Sequence, residues 1–304
     1  MKIPITILAY NRPHYFILLA QSLKAQVSED RDLYIFIDQP RDEHSIPYVY
    51  DTLKFAKEYF PKAQFFLPPN NLGICFMTKW IREFMFDKFD RFHFLEDDCI
   101  LSKNYIANLD NISDTFLNNE EVGMVNCFGE FHREKNNFNW LTNVPEVIKD
   151  ASPFRTVSDI EIQTKNSDKI IPMHHNWSYS IYKRAYEKAL PLMEKYYNVV
   201  GNDYVRRPHQ KIYEMLGSEK IKNAVSSQDS VFCSALSRAG ISRISTFPSC
   251  MKQIGEWGLH TRPNNFKDEC WNELPMFENI IYKNNYDNSQ MNQILKIQQD
   301  FYLQ

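Results

Sequence analysis

FHFLEDDCI, residues 92–100, runs four mostly apolar residues straight into three consecutive carboxylates, Glu96, Asp97 and Asp98. Adjacent carboxylates repel one another unless something positive lies among them. One reading is a strand that ends in a solvated acidic turn. The other is a strand whose C-terminal end carries a divalent-metal site. What lies on either side of the stretch decides between them.

Upstream, two periodicities alternate. IPITILAY (3–10), DLYIFID (32–38), AQFFLP (63–68) and RFHFLEDD (91–98) read as strands. PHYFILLAQSLKAQ (13–26), YVYDTLKFAKEYF (48–60) and LGICFMTKWIREFMFDKF (72–89) read as helices, the last with Phe76, Trp80 and Phe84 four apart on one face. Strand–helix alternation implies an α/β fold with a mainly parallel, Rossmann-like sheet flanked by helices. In such sheets ligands bind beyond the carboxyl ends of the strands. Three polar clusters fall there: Asn11–Arg12 after the first strand, Asp38–Gln39 after the second and Glu96–Asp98 after the fourth. A solvated loop accounts for any one of them, and less well for three together.

Downstream, NYIANLDNISDTFL reads as a helix and EVGMVNCF as a strand, and residues 128–173 then lose clear periodicity. Regularity returns with a short strand and helix in NWSYSIYKRAYEKALPLMEKYY (176–197). SQDSVFCSALSRAG (227–240) is helical, with Gly240 just past its end, and ISRISTF (241–247) is a strand. A C-terminal amphipathic helix, MNQILKIQQDFYL, follows. No repeat or linker divides the chain, so one large domain is expected.

Composition removes several classes. The 304 residues are 43% hydrophobic and 14% aromatic, enough for a substantial core, and the net charge of -3 carries no long run of one sign. A dedicated nucleic-acid binder would show a basic face. Six cysteines, at 75, 99, 127, 233, 250 and 270, form no C-x-x-C, so a zinc ribbon or disulfide scaffold is not expected, and reduced thiols fit a reducing compartment. The opening MKIPITILAYNRP lacks the run and cleavage site of a signal peptide. No segment approaches the ~20 apolar residues that span a bilayer, and the expected location is the cytoplasm. With only eight glycines, neither G-x-G-x-x-G nor G-x-x-x-x-G-K-[ST] occurs. A bound diphosphate would have to be neutralised by something other than a glycine-rich loop, and a metal is the obvious choice.

ITILAYNRP, YIFIDQP, NNLGICFMTKWI and FHFLEDDCILSKNYI together resemble nucleotide-sugar glycosyltransferases of the GT-A fold. The resemblance is to the N-acetylglucosaminyltransferase I type, whose acidic signature also reads E-D-D, and to related bacterial transferases. It covers residues 3–110 well and 176–262 more loosely. It implies a nucleotide-sugar-binding half over 1–127 and an acceptor-binding, catalytic-base half over 128–304, within one domain. The implied reaction moves a sugar, hexosyl or N-acetylhexosaminyl, from a UDP-sugar to a hydroxyl of a glycan or glycoconjugate, with inversion. Mn²⁺ or Mg²⁺ offsets the charge that develops on the departing diphosphate.

By the same resemblance Asp98 is the metal ligand, and Glu96 and Asp97 lie toward the ribose and sugar. Asp38 lies near the base or ribose, and Arg12, with Asn11, near the base or diphosphate. A surface salt bridge is the other reading of Arg12, and a solvated helix face the other reading of Lys79. An inverting transfer needs a base to take the acceptor proton. Asp229 in SSQDSVF is the candidate, with an ordinary helix cap as its other reading and Asp203 in VVGNDYV as its rival. His260 in GEWGLH completes the metal site or contacts a phosphate, with a structural role as its other reading, and Glu256 and Trp257 line the same pocket. His174–His175 has no cysteine partner at zinc spacing, and Trp177 is expected to stack on an acceptor sugar. Exposed-looking aromatics near the C-terminus leave a homodimer open. Two alternatives stand beside the transferase: a sugar-nucleotide nucleotidyltransferase, which would carry a glycine-rich loop after the first strand, and a non-catalytic nucleotide- or carbohydrate-binding protein.

Overall fold

The first seven elements follow the alternation read above: β1 (Ile5–Ala9), α1 (Pro13–Leu23), β2 (Leu33–Ile37), α2 (Ile46–Tyr59), β3 (Gln64–Phe66), α3 (Gly73–Phe86) and β4 (Arg91–Glu96). They come from a computed structural model of the chain, which describes residues 2–129, 131–132, 154–155, 160–201, 204–217, 226–257, 275–278, 280, 286 and 288–303. Then come β5 (Cys99–Leu101), α4 (Tyr105–Thr115), β6 (Val122–Asn126), the two-residue strands β7 (Phe131–His132) and β8 (Phe154–Arg155), and α5 (Ile160–Lys165). The remainder is β9 (Ile170–Pro172), β10 (Tyr179–Tyr182), α6 (Lys183–Val200), α7 (His209–Met215), α8 (Gln228–Arg238), β11 (Ser242–Thr246), β12 (Met251–Gln253) and a C-terminal helix, Asn288–Tyr302.

Eight strands form one sheet in the order β3-β2-β1-β4-β10-β6-β11-β9. β1 to β4, β6 and β11 run one way, and β10 and β9 run against them. The fold is thus a mainly parallel α/β sheet in a single domain. β10, from late in the chain, sits between β4 and β6, so strands from both sides of residue 127 share one sheet. β1 and β2 are buried at all ten positions, which is why they read as continuous apolar runs.

Alternation along each strand sends its side chains to two cores. Ile5, Ile7, Ile35, Ile37 and Leu95 pack with α1, α2 and α4 on one face. Leu8, Tyr34, Phe36, Phe92 and Phe94 pack with α3, α6 and α8 on the other.

Three local details add to the sequence reading. Phe76, Trp80 and Phe84 share one half-buried face of α3, where Trp80 and Phe84 pack on Phe36 and Phe66, while Cys75, Met77, Thr78, Ile81, Arg82, Met85 and Phe86 are buried. After the acidic triplet the chain leaves the main sheet, turning at Asp97–Asp98 into β5, which pairs antiparallel with β12 in a separate two-stranded sheet. The stretch without periodicity contains α5 and the edge strand β9. Of the six cysteines, the five described are free and buried. No helix among the described residues is long and apolar enough to cross a membrane.

Candidate active site

Strand register assembles the acidic corner. Leu8 of β1 lies opposite Glu96 of β4, so the turn after β1 carries Arg12 alongside Asp97 and Asp98. One guanidinium nitrogen of Arg12 donates to Asp98 Oδ2 at 2.8 Å, and the other donates to Asp97 Oδ1. The Arg12 side chain is 28% exposed, against 2% for Asp97 and 9% for Asp98, so this is a buried ion pair and not the surface salt bridge that the residue type allowed. The other carboxylate oxygens, Asp97 Oδ2 and Asp98 Oδ1, are buried with no hydrogen-bond partner among the described residues. A buried charged oxygen without a partner is costly. Two such oxygens stand on adjacent residues.

The electrostatics agree. Burial pushes the Asp97 carboxyl up to about 6, with Arg12 opposing and Asp98 reinforcing the rise. Glu96 is held well above the usual carboxylate range by burial, then by Asp98 and Asp229. Burial works against the Arg12 charge, but Asp97 and Asp98 outweigh it and raise its pKa. One guanidinium therefore faces a surplus of carboxylates.

The β5–β12 ribbon closes over this corner. Gln253 lies opposite Cys99, and the Ile254 N–H donates to the Asp98 carbonyl at 2.9 Å. Gly255 passes so close to Asp98 that a Cβ there would collide with its carboxylate. The Trp257 N–H donates to Tyr15 Oη at 3.0 Å, and the Tyr15 ring lies 5.5 Å from the Arg12 guanidinium carbon. These contacts join residues some 150 to 240 positions apart, and no local pattern in either segment announces them. Ser178, the one non-glycine residue with positive φ (41°) among the described residues, lies behind the corner and takes the Glu96 N–H at 3.5 Å.

Asp229 also arrives here. Its charge adds to the rise of the Glu96 pKa. The N-cap of α8 is Ser227, whose Oγ accepts the Ser230 N–H at 3.2 Å. Asp229 therefore does not cap the helix. It stands in the first turn beside Gln228, whose amide donates to Asp229 Oδ1 and whose Oε1 accepts the Thr78 hydroxyl at 3.0 Å. Sequence reading missed Gln228, Tyr15 and Gly255 as members of the site.

Other candidates are placed elsewhere. Asp38 accepts from the N–H groups of Gln39, Leu72 and Gly73 and from the Asn71 amide, at 2.8–3.0 Å. Four bonds fill the lone-pair sites of a carboxylate, so Asp38 shapes the loop before α3 and has no lone pair left for a ribose or base. Burial raises its pKa against those backbone bonds. Lys79 faces α6: its ammonium lies 3.0 Å from Glu194, 3.7 Å from Glu83 and 4.7 Å from the Tyr197 ring centre. It is partly exposed and paired with these glutamates. Asn11 is half-buried on the Arg12 turn. Trp177 has one ring face on His175, with centroids 4.3 Å apart, and an edge contact to Phe128. His260 and Asp203 lie outside the described residues.

No group of three or more His, Cys, Asp or Glu converges as a complete metal cage among the described residues. The two partnerless oxygens still fit a hard divalent cation that draws its remaining oxygen ligands from a bound phosphate.

No family model matches the sequence, and no curated protein matches it. Among solved structures, the chain is similar to the mannosyltransferase PcManGT from Pyrobaculum calidifontis, in complex with GDP-Man and Mn²⁺, at 10% identity and TM-score 0.41, over 81% of this chain and 55% of that one. It is similar to S. aureus TarS 1–349 at 13% identity and TM-score 0.43, over 100% of this chain and 71% of that one. It is similar to GalNAc-T7 with UDP, GalNAc and Mn²⁺ at 7% identity and TM-score 0.47, over 84% of this chain and 45% of that one. The chain thus spans about half the length of the first and third. At such scores the likeness carries nothing about chemistry, which is drawn from the residues.

Proposed function

We propose that this protein is a divalent-metal-dependent glycosyltransferase that uses a nucleoside-diphosphate sugar, most simply a UDP-sugar, and transfers the sugar to a hydroxyl of a carbohydrate or glycoconjugate. One observation carries the reading: two buried carboxylate oxygens without partners, at the C-terminal end of a central parallel strand, with Asp229 close by. Asp98, with Asp97 beside it, would hold Mn²⁺ or Mg²⁺, and His260 is the candidate for a further ligand. When bound, the metal supplies charge neutralisation for the diphosphate leaving group.

The rest of the chemistry belongs to the chain. Arg12 faces the diphosphate, and Glu96 accepts hydroxyl hydrogen bonds from the sugar or ribose. Asp229 takes the acceptor hydroxyl's proton as that oxygen bonds to the anomeric carbon. The bond from that carbon to phosphate breaks, and its electron pair leaves with the diphosphate. Attack from the face opposite the leaving group inverts the anomeric centre. Asp38 contributes by fixing the 71–73 loop at the start of α3.

The test is a panel of nucleotide sugars incubated with the protein, with and without Mn²⁺, and with release of free nucleoside diphosphate as readout. Metal-dependent release from one donor is the expected result. Release of pyrophosphate from a sugar phosphate and a nucleoside triphosphate would instead indicate a nucleotidyltransferase.

A further inference from the structure

Arg12 occupies an unusual position for a residue expected to meet a phosphate. Both ends of its fork are bound to the carboxylates that would hold the metal, at Asp98 Oδ2 and Asp97 Oδ1. No other cation among the described residues donates to these two groups. Arg12 nevertheless keeps a solvent-facing side, and its guanidinium rests against the Tyr15 ring. It sits on the turn between β1 and α1, where its backbone is the N-cap of α1 and its side chain makes no cap bond. The helix start is therefore indifferent to where the guanidinium points.

We propose that Arg12 is an exchange counter-ion: the guanidinium holds the Asp97–Asp98 carboxylate pair until a divalent cation binds there, and the donor's diphosphate receives Arg12 when the cation takes its place. The inference rests on the metal-dependent reading above and adds how the site is switched between two arrangements. A guanidinium matches a carboxylate and a phosphate equally well, with two parallel N–H donors. A divalent cation placed beside an undisplaced guanidinium is repelled at close range, so metal alone binds weakly. A diphosphate brings oxygens for the metal and a new partner for Arg12, which makes entry of the two ligands mutually reinforcing. Linkage requires that nucleotide tighten metal and metal tighten nucleotide by the same factor. Gly255 and the β5–β12 ribbon keep Asp98 in place while its partner changes.

Mn²⁺ is titrated into wild type, Arg12→Gln and Arg12→Lys, with free Mn²⁺ read by electron paramagnetic resonance, first without and then with saturating UDP. Circular dichroism and thermal unfolding confirm that each variant is folded. Without UDP, Arg12→Gln is expected to bind Mn²⁺ roughly 10- to 100-fold more tightly than wild type, because one repelling charge is gone at short range. Arg12→Lys falls between them, since an ammonium cannot bridge two carboxylates as a fork does. The tightening by UDP is expected to be larger in wild type than in Arg12→Gln. If a folded Arg12→Gln binds Mn²⁺ no better than wild type, or binds it worse, while wild type still takes Mn²⁺ with UDP, the exchange is overturned and the transferase reading stands. If Arg12→Gln does not fold, the same comparison is made with Arg12→Lys, and affinity at or below wild type overturns it. If no protein takes Mn²⁺ even with UDP, the metal reading falls and the exchange falls with it.

Discussion

At the N-terminal side of the sheet, Arg31 donates to both oxygens of Asp110, at 3.1 and 2.5 Å, and His93 Nε2 lies 2.9 Å from the same carboxylate. At the C-terminal ends of the same strands, Arg12 donates to Asp97 and Asp98. Both clusters join a guanidinium to carboxylates at the sheet. Burial pushes Asp110 upward, but hydrogen bonds from His93 and Arg31 outweigh it and bring the group to about 2. Asp97 goes the other way, to about 6, although it too has an arginine. The difference is stoichiometry. One carboxylate faces two basic side chains in the first cluster, and one guanidinium faces several acids in the second. A matched cluster holds a fold together, and a surplus of one sign creates affinity for something absent from the chain.

That contrast can be broken or sharpened by substitution. The largest effect is expected for Asp229→Asn: turnover falls by ~10²–10⁴-fold, the range for losing a positioned proton acceptor. UDP-sugar affinity stays near wild type, and the fold is retained because Ser227 still caps α8. Steady-state kinetics and donor titration separate the two, and near-normal turnover would pass the base role to Asp203.

Asp110→Ala comes next, and acts on stability alone. Arg31, whose side chain is 6% exposed, is left buried without a counter-charge, at a cost of about 3–5 kcal/mol in urea unfolding. Mn²⁺-dependent nucleotide binding should survive. Its loss would show that the two ends of the sheet are not separable.

Gly255→Ala is expected to push the Asp98 carboxylate aside and weaken Mn²⁺–UDP binding by about tenfold, as for other residues that position a ligand. Its melting temperature should move little. The smallest effect concerns pH. Burial lowers the His93 pKa despite Asp110, so the unfolded chain takes up a proton near 6.5 that the folded chain resists. Stability therefore declines as pH falls below that value. Asp110 contributes stability that is complete above its unfolded value of about 3.9 and is lost as pH drops toward its folded value. Asp110→Asn should flatten the second decline and enlarge the first, because Asp110 opposes the lowering of the His93 pKa.

Much of this was legible from the chain, for physical reasons that also mark where legibility ends. Buried parallel strands are long apolar runs, so β1, β2 and β4 and the acidic triplet at the end of β4 stood out. The helix α3 was equally visible, and its aromatic stripe does meet the sheet, with Trp80 and Phe84 on Phe36 and Phe66. What periodicity did not show is the buried Arg82 on the neighbouring face. Asp38 and Lys79 have the right chemistry for a nucleotide, yet Asp38 bonds to the 71–73 loop and Lys79 to α6. Which partner a charged side chain chooses depends on tertiary neighbours, and composition is silent about them. The closure of Gly255 over Asp98 joins segments brought together only by the β5–β12 pairing.

The most direct test of the central claim is calorimetric titration of UDP into wild type and Asp98→Asn, with and without Mn²⁺. The account predicts that Mn²⁺ tightens UDP binding in wild type and that Asp98→Asn, still folded, loses this metal-dependent part. The same Mn²⁺ dependence in both proteins would contradict it and remove the acidic corner from the metal's site.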